Sequence, residues 1–409
     1  MAAPGCEACY GYEVVVRLAI VVVALLTLPS RARADPPRDF TSEIRILYAV
    51  AACGEPAPAG YSAKVVDAHC AAVQKAIAAW KTNWRDKAAP FFAELLNGNY
   101  PSSVVYPFGG GDLLSLLAVY PDATEYTTLS LEGMGDPRPI RELATDDPKQ
   151  ASKHAAELGD KLAKLRKILQ ENLGWAWNTT NDLSASSSET GADIPGILVL
   201  TLVALEANGY EPLEARYWKP DANGAVVPLT QHDVDAFDAA TQGKKAARKT
   251  SNAVQQGAFN DIEIVFRKKG DAGAPNKTFR HLTADLSDKG LEADGSALAH
   301  LEQKREIAAL TKAASYLLWK ASFGKLRDYL LAHMTQMISD DTGIPPRYAK
   351  PAGFTQEVWG TYGGSFFSFA EQGVAKEMIE LWRGSTRPLA FRFGYYDNHR
   401  TPHLLHTYK

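Results

Sequence analysis

Apolar side chains recur along this chain at changing spacings, and the spacing predicts the elements. From Lys64 to Leu96, Val66, Val73, Ile77 and Trp80 lie on one helical face. Ala151–Leu173 is the clearest helix, with Leu158, Leu162, Leu165, Leu169 and Leu173 in one stripe and the charges elsewhere. Ser102–Phe108 and Glu125–Leu131 read as strands around a short helix at Leu113–Tyr120. Ile194–Ala207, entered through Pro195, predicts a buried helix. Asp261–Arg267 and Thr278–Asp285 predict paired strands. Helices are expected at Ala297–Leu310, Phe323–Ile338 and Ser365–Trp382, and a closing strand at Pro388–Tyr395.

This alternation predicts an α/β fold. A layered αβα first lobe, residues 35–240, contains a βαβ unit near Ser102–Glu132; an α+β second lobe covers residues 258–409, or the two form one continuous domain. Ser184–Asp193 and residues 241–257 are poor in large apolar residues and mark the breaks.

The first 34 residues follow a different pattern. A stretch ending in Arg17 precedes the apolar run Leu18–Leu28, then Pro29 and the small-residue pattern Ala32-Arg33-Ala34. These are the parts of a cleavable secretory signal, with a mature start at Asp35. The apolar run is shorter than the roughly 20 residues of a spanning helix, so no transmembrane anchor is expected after cleavage. The expected location is secreted or periplasmic. Of four cysteines, Cys6 and Cys9 fall in the leader, and the remaining pair, Cys53 and Cys70, predicts a disulfide in an oxidising compartment.

Removing the three Arg and two Glu of the leader takes the formal net charge from −3 to −4. A near-balanced chain lacks the basic face of a nucleic-acid binder. The cluster Lys244, Lys245, Arg248 and Lys249 reads as a solvated linker. The expected partner is a ligand or an envelope component.

Two loops carry candidate chemistry. Gly109, Gly110 and Gly111 connect a strand to a helix, and Glu132 follows the next strand, the layout of a nucleotide-binding βαβ unit. The glycines do not match G-x-G-x-x-G, and Asp112 sits where a pyrophosphate needs neutrality. A degenerate scaffold is the preferred reading, with Asp112 as a helix cap, and no cofactor is predicted. The second loop joins Asp340 and Asp341 to Arg347 and Tyr348, ahead of Tyr362 in a glycine-rich segment. Adjacent carboxylates can share a proton or work as acid and base, and a helix stop and turn has the same composition. His399, His403 and His406 read as an exposed polar tail, because Pro402 breaks helical spacing. No metal site is predicted, and the common hydrolase and phosphate-loop signatures are missing.

The segments SYLLWKASFGKLRDYLL, ISDDTGIPPRY, WGTYGGSF and PLAFRFGYY resemble a family of uncharacterised exported bacterial proteins. The matching positions are Tyr106-Pro107-Phe108-Gly109 and Asp340-Asp341-Thr342-Gly343-Ile344-Pro345. The family has no assigned activity, so the resemblance implies only that both loops belong to one domain. The sequence thus predicts an exported protein that binds a ligand or partner, with candidate ligand contacts at Gly109, Gly110, Gly111, Arg347, Tyr348 and Tyr362. The alternative is an exported hydrolase of a saccharide or envelope polymer, using Asp340, Asp341, Asp112 or Glu132. A third option is a small-molecule transferase working through the glycine turn.

Overall fold

The structure, a computed structural model, describes residues 35–173, 194–241, 257–362, 364, 372–394 and 401–409. The expected leader, the break at Ser184–Asp193 and the basic cluster at 244–249 lie outside the described residues. So does His399.

Ten strands form one mixed sheet: β1 Ser103–Pro107, β2 Glu125–Ser130, β3 Tyr210–Pro220, β4 Val226–Pro228, β5 Asp261–Lys268, β6 Lys277–Thr283, β7 Ile307–Thr311, β8 Met334–Ser339, β9 Thr355–Gly360 and β10 His403–Tyr408. Their order across the sheet is β4-β3-β5-β6-β2-β1-β7-β8-β10-β9. The central strands β6, β2, β1, β7 and β8 run parallel. Antiparallel strands extend the sheet on both sides. The fold is α/β, as the alternation predicts.

Side chains alternate between two cores. Val104, Tyr106, Ala308 and Leu310 face one; Val105, Ile307 and Ala309 face the other. On the first face pack the helices Thr41–Val50, Ala63–Trp80, Leu113–Val119, Ala151–Leu173 and Gly196–Ala207. On the second lie Ser296–Glu302 and Gly324–His333. The first half of the chain therefore builds one helical layer and the second half the other. Both halves feed one sheet, since β2 pairs with β6 and β1 with β7 across the break at 241–257. The expected lobes at 35–240 and 258–409 meet as two layers of one unit, Pro37–Lys409.

Several predicted elements change. Ala297–Leu310 is not one helix: a helix at Ser296–Glu302 ends before β7 begins at Ile307. Phe323–Ile338 likewise divides into the helix Gly324–His333 and β8. Both misreadings have one cause. A parallel strand buried on both faces is apolar without alternation, so its period resembles a buried helix. The segment Lys64–Leu96 is helical but interrupted by a π turn at Lys81–Arg85, just ahead of Pro90, which has no N–H to give the Asp86 carbonyl. Residues 388–394 form no strand; the closing strand is β10, and Tyr395 lies outside the described residues.

Cys53 and Cys70 form the predicted disulfide, with Cα atoms 5.3 Å apart. It ties the chain beyond the Thr41–Val50 helix to the middle of Ala63–Trp80. The bridge spans 17 positions, a loop whose closure removes about 3 kcal/mol of unfolded-state entropy. Reduction is expected to lower stability by about that amount, and urea unfolding with and without reductant measures it. Coincident curves would show that the bridge does not constrain the unfolded chain. Among the described residues, no helix is long and apolar enough to cross a membrane.

Candidate functional site

β1 leads through the Leu113–Val119 helix to β2 on one side, while β7 lies on its other side with β8 beyond. The strand order therefore reverses between β1 and β7. Open α/β sheets bind ligands in the crevice outside the carboxyl ends at such a reversal. Here the loops following β1, β7 and β8 meet.

Side chains and backbone tie the three loops together. Asp112 Oδ1 accepts from the Ser115 amide at 3.1 Å, capping the helix. Asp112 Oδ2 pairs with Lys312 Nζ at 2.8 Å and accepts from the Tyr106 hydroxyl at 3.3 Å. Lys312 also donates to Ser115 Oγ at 2.8 Å. The Ala313 amide donates to Asp340 Oδ2 at 3.2 Å, joining the β7 loop to the acidic loop. Phe108, at φ 62°, and Ala313, at φ 51°, hold left-handed conformations without being glycine. Such residues cost on the order of 1–3 kcal/mol and persist only where the surroundings impose them. Both lie at the carboxyl ends of strands entering this crevice.

The acidic loop is sealed. Asp340, Asp341 and Thr342 are fully buried. Asp340 Oδ1 accepts from the Thr342 amide at 2.9 Å and its hydroxyl at 2.5 Å. Asp341 Oδ1 meets His403 Nε2 at 2.8 Å, and His403 Nδ1 donates to the Thr401 carbonyl at 3.0 Å. Burial opposes charge on His403, but the Asp341 hydrogen bond and the Asp341 and Asp340 charges outweigh it and lift its pKa to about 8. Burial, then the neighbouring Asp341 charge, pushes Asp340 above the usual carboxylate range. Burial and the Asp112 and Asp340 charges likewise hold the Tyr106 phenol well above its ordinary value. Tyr362 and Trp382 flank the His403 ring at 5.0 and 5.9 Å between centroids. Gly394, at φ 90°, lies so close that a Cβ would stand 2.6 Å from the imidazole, so only glycine fits.

The predicted site residues divide into two groups. Asp112, Asp340 and Asp341 come together at the crevice. Gly109 and Gly111 serve packing: a Cβ at Gly109 would strike the Tyr106 ring at 2.6 Å, and one at Gly111 would press on Leu200 at 3.3 Å. Gly110, at φ 43°, turns the chain between them. Glu132 is buried after β2, and its backbone carbonyl accepts from His281 Nε2 at 2.8 Å. Its Oε1 has no hydrogen-bond partner among the described residues. Arg347 pairs with Glu377 at 2.6 Å, and Tyr348 lies beneath Arg327 at 3.9 Å from the ring centre. Tyr362 belongs to a small core with Trp382 and Leu405.

The expected exposed tail is a correction. His403 and His406 sit buried in β10, held by antiparallel pairing to β8 and β9. HLLHTY is short, and its strand character depends on pairing with neighbours far away in sequence. Sequence reasoning also missed Lys312, and it marked Tyr106 only as part of the segment leading into the glycine turn. A lone charge just past the apolar run Ile307–Leu310, after Thr311, was the available signal for Lys312. Among the described residues, no group of three or more His, Cys, Asp or Glu is placed to hold a metal ion.

Comparison with protein-family models, with curated proteins and with solved structures finds no match to this chain.

Proposed function

We propose that this chain is an exported protein that binds a small polar ligand at the carboxyl edge of its sheet, in the crevice between β1 and β7. One observation carries the reading: three strand-end loops converge at the reversal of strand order and present the part-exposed pair Asp112–Lys312, with side chains 30% and 14% accessible. A charge pair at such an edge offers both an acceptor and a donor to a ligand. The buried Asp340, Asp341 and His403 form the rigid floor beneath it. Export draws support from the leader-like pattern of the first 34 residues and from the Cys53–Cys70 disulfide.

The test is a thermal-shift screen of small metabolites and oligosaccharides against the full chain and its Lys312→Met variant. At a hundred times its dissociation constant a ligand stabilises by about 2.7 kcal/mol. The expected result is at least one compound that stabilises the parent chain and not the variant. A screen in which no compound separates the two proteins would sink the reading.

The hydrolase reading keeps one specific support, and it requires the acidic loop, fully buried in this structure, to open to substrate. Asp340 is held toward its protonated form while its neighbour Asp341 is bonded to His403. Adjacent carboxyl groups in unequal surroundings are the layout of an acid and a base. That reading requires Asp340→Asn to abolish turnover of an envelope saccharide while the fold survives.

A further inference from the structure

Three Asn-Gly pairs occur in the chain: Asn97-Gly98, Asn208-Gly209 and Asn223-Gly224. In such a pair the glycine amide nitrogen can attack the asparagine side-chain carbonyl carbon, since glycine has no Cβ to hinder the approach. The attack needs a free amide, an unheld side chain and room for the backbone to turn. These conditions hold at one pair and fail at the other two.

Asn208-Gly209 is locked. Asn208 is 6% exposed, and its Nδ2 donates to the Ala204 carbonyl at 2.9 Å. The Gly209 amide donates to the Glu206 carbonyl at 3.0 Å. Asn223 is exposed, but its pair is clamped from both sides. The Asn223 amide donates to Asp221 Oδ1 at 2.8 Å and the Gly224 amide to the Asp221 carbonyl at 2.9 Å. Gln303 Nε2 and His300 Nδ1 donate to the Asn223 and Gly224 carbonyls, each at 2.8 Å. A Cβ at Gly224 would stand 2.2 Å from the His300 amide nitrogen, so the backbone there has no room to turn.

Asn97-Gly98 is open. It follows the helix Asp86–Leu96, and the Asn97 amide closes the last turn by donating to the Ala93 carbonyl at 3.0 Å. Neither the Asn97 side chain nor the Gly98 amide has a hydrogen-bond partner among the described residues. Both residues are exposed, and a Cβ at Gly98 would meet no atom within 4 Å. The Tyr100 amide and Gln336 Nε2 hold the Gly98 and Asn99 carbonyls, so the flanks of the turn are fixed while its central amide stays free.

We propose that Asn97 deamidates spontaneously in the folded protein, the one pair of the three that the fold leaves reactive. The Gly98 nitrogen bonds to Asn97 Cγ as the Cγ–Nδ2 bond breaks, and ammonia leaves with the amide proton, giving a cyclic imide. Water then opens the ring. Opening at Cγ leaves aspartate; opening at the backbone carbonyl leaves isoaspartate, whose main chain runs through the side chain and is longer by a methylene. Either product adds a negative charge at the carboxyl end of the helix, where the macrodipole is already negative. Isoaspartate also lengthens the link from that helix to β1. The modification does not depend on the reading of the crevice.

The experiment is incubation of the full chain in mildly alkaline buffer, native and in urea, followed by peptide mapping with mass spectrometry. Deamidation adds the mass of an amide-to-acid exchange, and chromatography separates the aspartate and isoaspartate forms. In urea the three pairs are expected to react at similar rates. In the native chain Asn208 and Asn223 are expected to be slower than Asn97 by about tenfold or more, since each must first open its hydrogen bonds. Asn97→Gln is expected to remove the isoaspartate product from the native chain. The proposal is overturned if native Asn97 reacts no faster than Asn208 and Asn223, or stays intact under conditions that modify it in urea. Isoaspartate persisting undiminished in native Asn97→Gln would overturn it as well.

Discussion

Replacing Asp341 with alanine is expected to lower the unfolding free energy by about 3–5 kcal/mol, the usual cost of removing one partner from a buried ion pair. Both members are inaccessible, and their atoms stand 2.8 Å apart. The variant leaves His403 either charged without a counterion or neutral with a lost hydrogen bond. The effect has a pH signature. In the folded chain His403 titrates at about 8, above its ordinary 6.5. A raised imidazole contributes fully below pH 6.5 and loses that contribution as pH rises through 8. The displacement corresponds to about 2 kcal/mol. Urea unfolding of the parent chain should therefore weaken from pH 6.5 to pH 9, and Asp341→Ala should not show that component. Equal pH slopes in the two proteins would refute the assignment. Because the pair holds the end of the chain against the acidic loop, loss of any activity in Asp341→Ala is not by itself evidence of catalysis.

Acid is expected to unfold the protein cooperatively between about pH 5 and pH 4. Four buried histidines, His69, His281, His300 and His406, have pKa values lowered to about 4, in each case chiefly by burial. Below pH 6.5 the unfolded chain takes up these protons and the folded chain does not, so stability falls with pH. Each site can withdraw up to roughly 3 kcal/mol. Asp261 works in the opposite direction: burial raises its carboxyl to about 7, so its contribution grows as pH falls toward 3.8. Asp340, also raised, acts with it. Two carboxyl groups do not offset four histidines against a total stability of about 5–15 kcal/mol. His281 is the most informative single site, since Thr128 Oγ1 lies 2.9 Å from Nδ1 and the Glu132 carbonyl takes Nε2. His281→Gln should shallow the acid transition followed by tryptophan fluorescence. A parent chain still native at pH 3 would contradict the whole account.

How far the sequence was readable depended on how local each signal is. The leucine stripe of Ala151–Leu173 and the β1–helix–β2 unit are set by neighbouring residues, and both stand in the structure as read. β7 and β8 read as helix ends because burial on two faces erases the alternation that marks a strand. β3 contains Pro212 and Pro220, which mask its pattern, and pairing to β5 makes it a strand. At the crevice, Asp112, Asp340 and Asp341 were visible as unusual acids beside glycines. Their partners Lys312 and His403 were not, because the contacts join positions 200 and 62 residues apart. Adjacent acids in a sequence do not reveal whether they face solvent. Here they face the interior.

The division of the sheet between the two halves of the chain also fixes an order of events during synthesis. β1 and β2 are made early and pair with each other, yet their outer neighbours β7 and β6 begin only at Ile307 and Lys277. Until then both flanks of this pair present unmatched backbone groups beside apolar side chains, a template for intermolecular pairing. The nascent first half is therefore the vulnerable species. It must be kept from self-association until its own second half arrives, and a chain truncated near residue 240 should accumulate as aggregate.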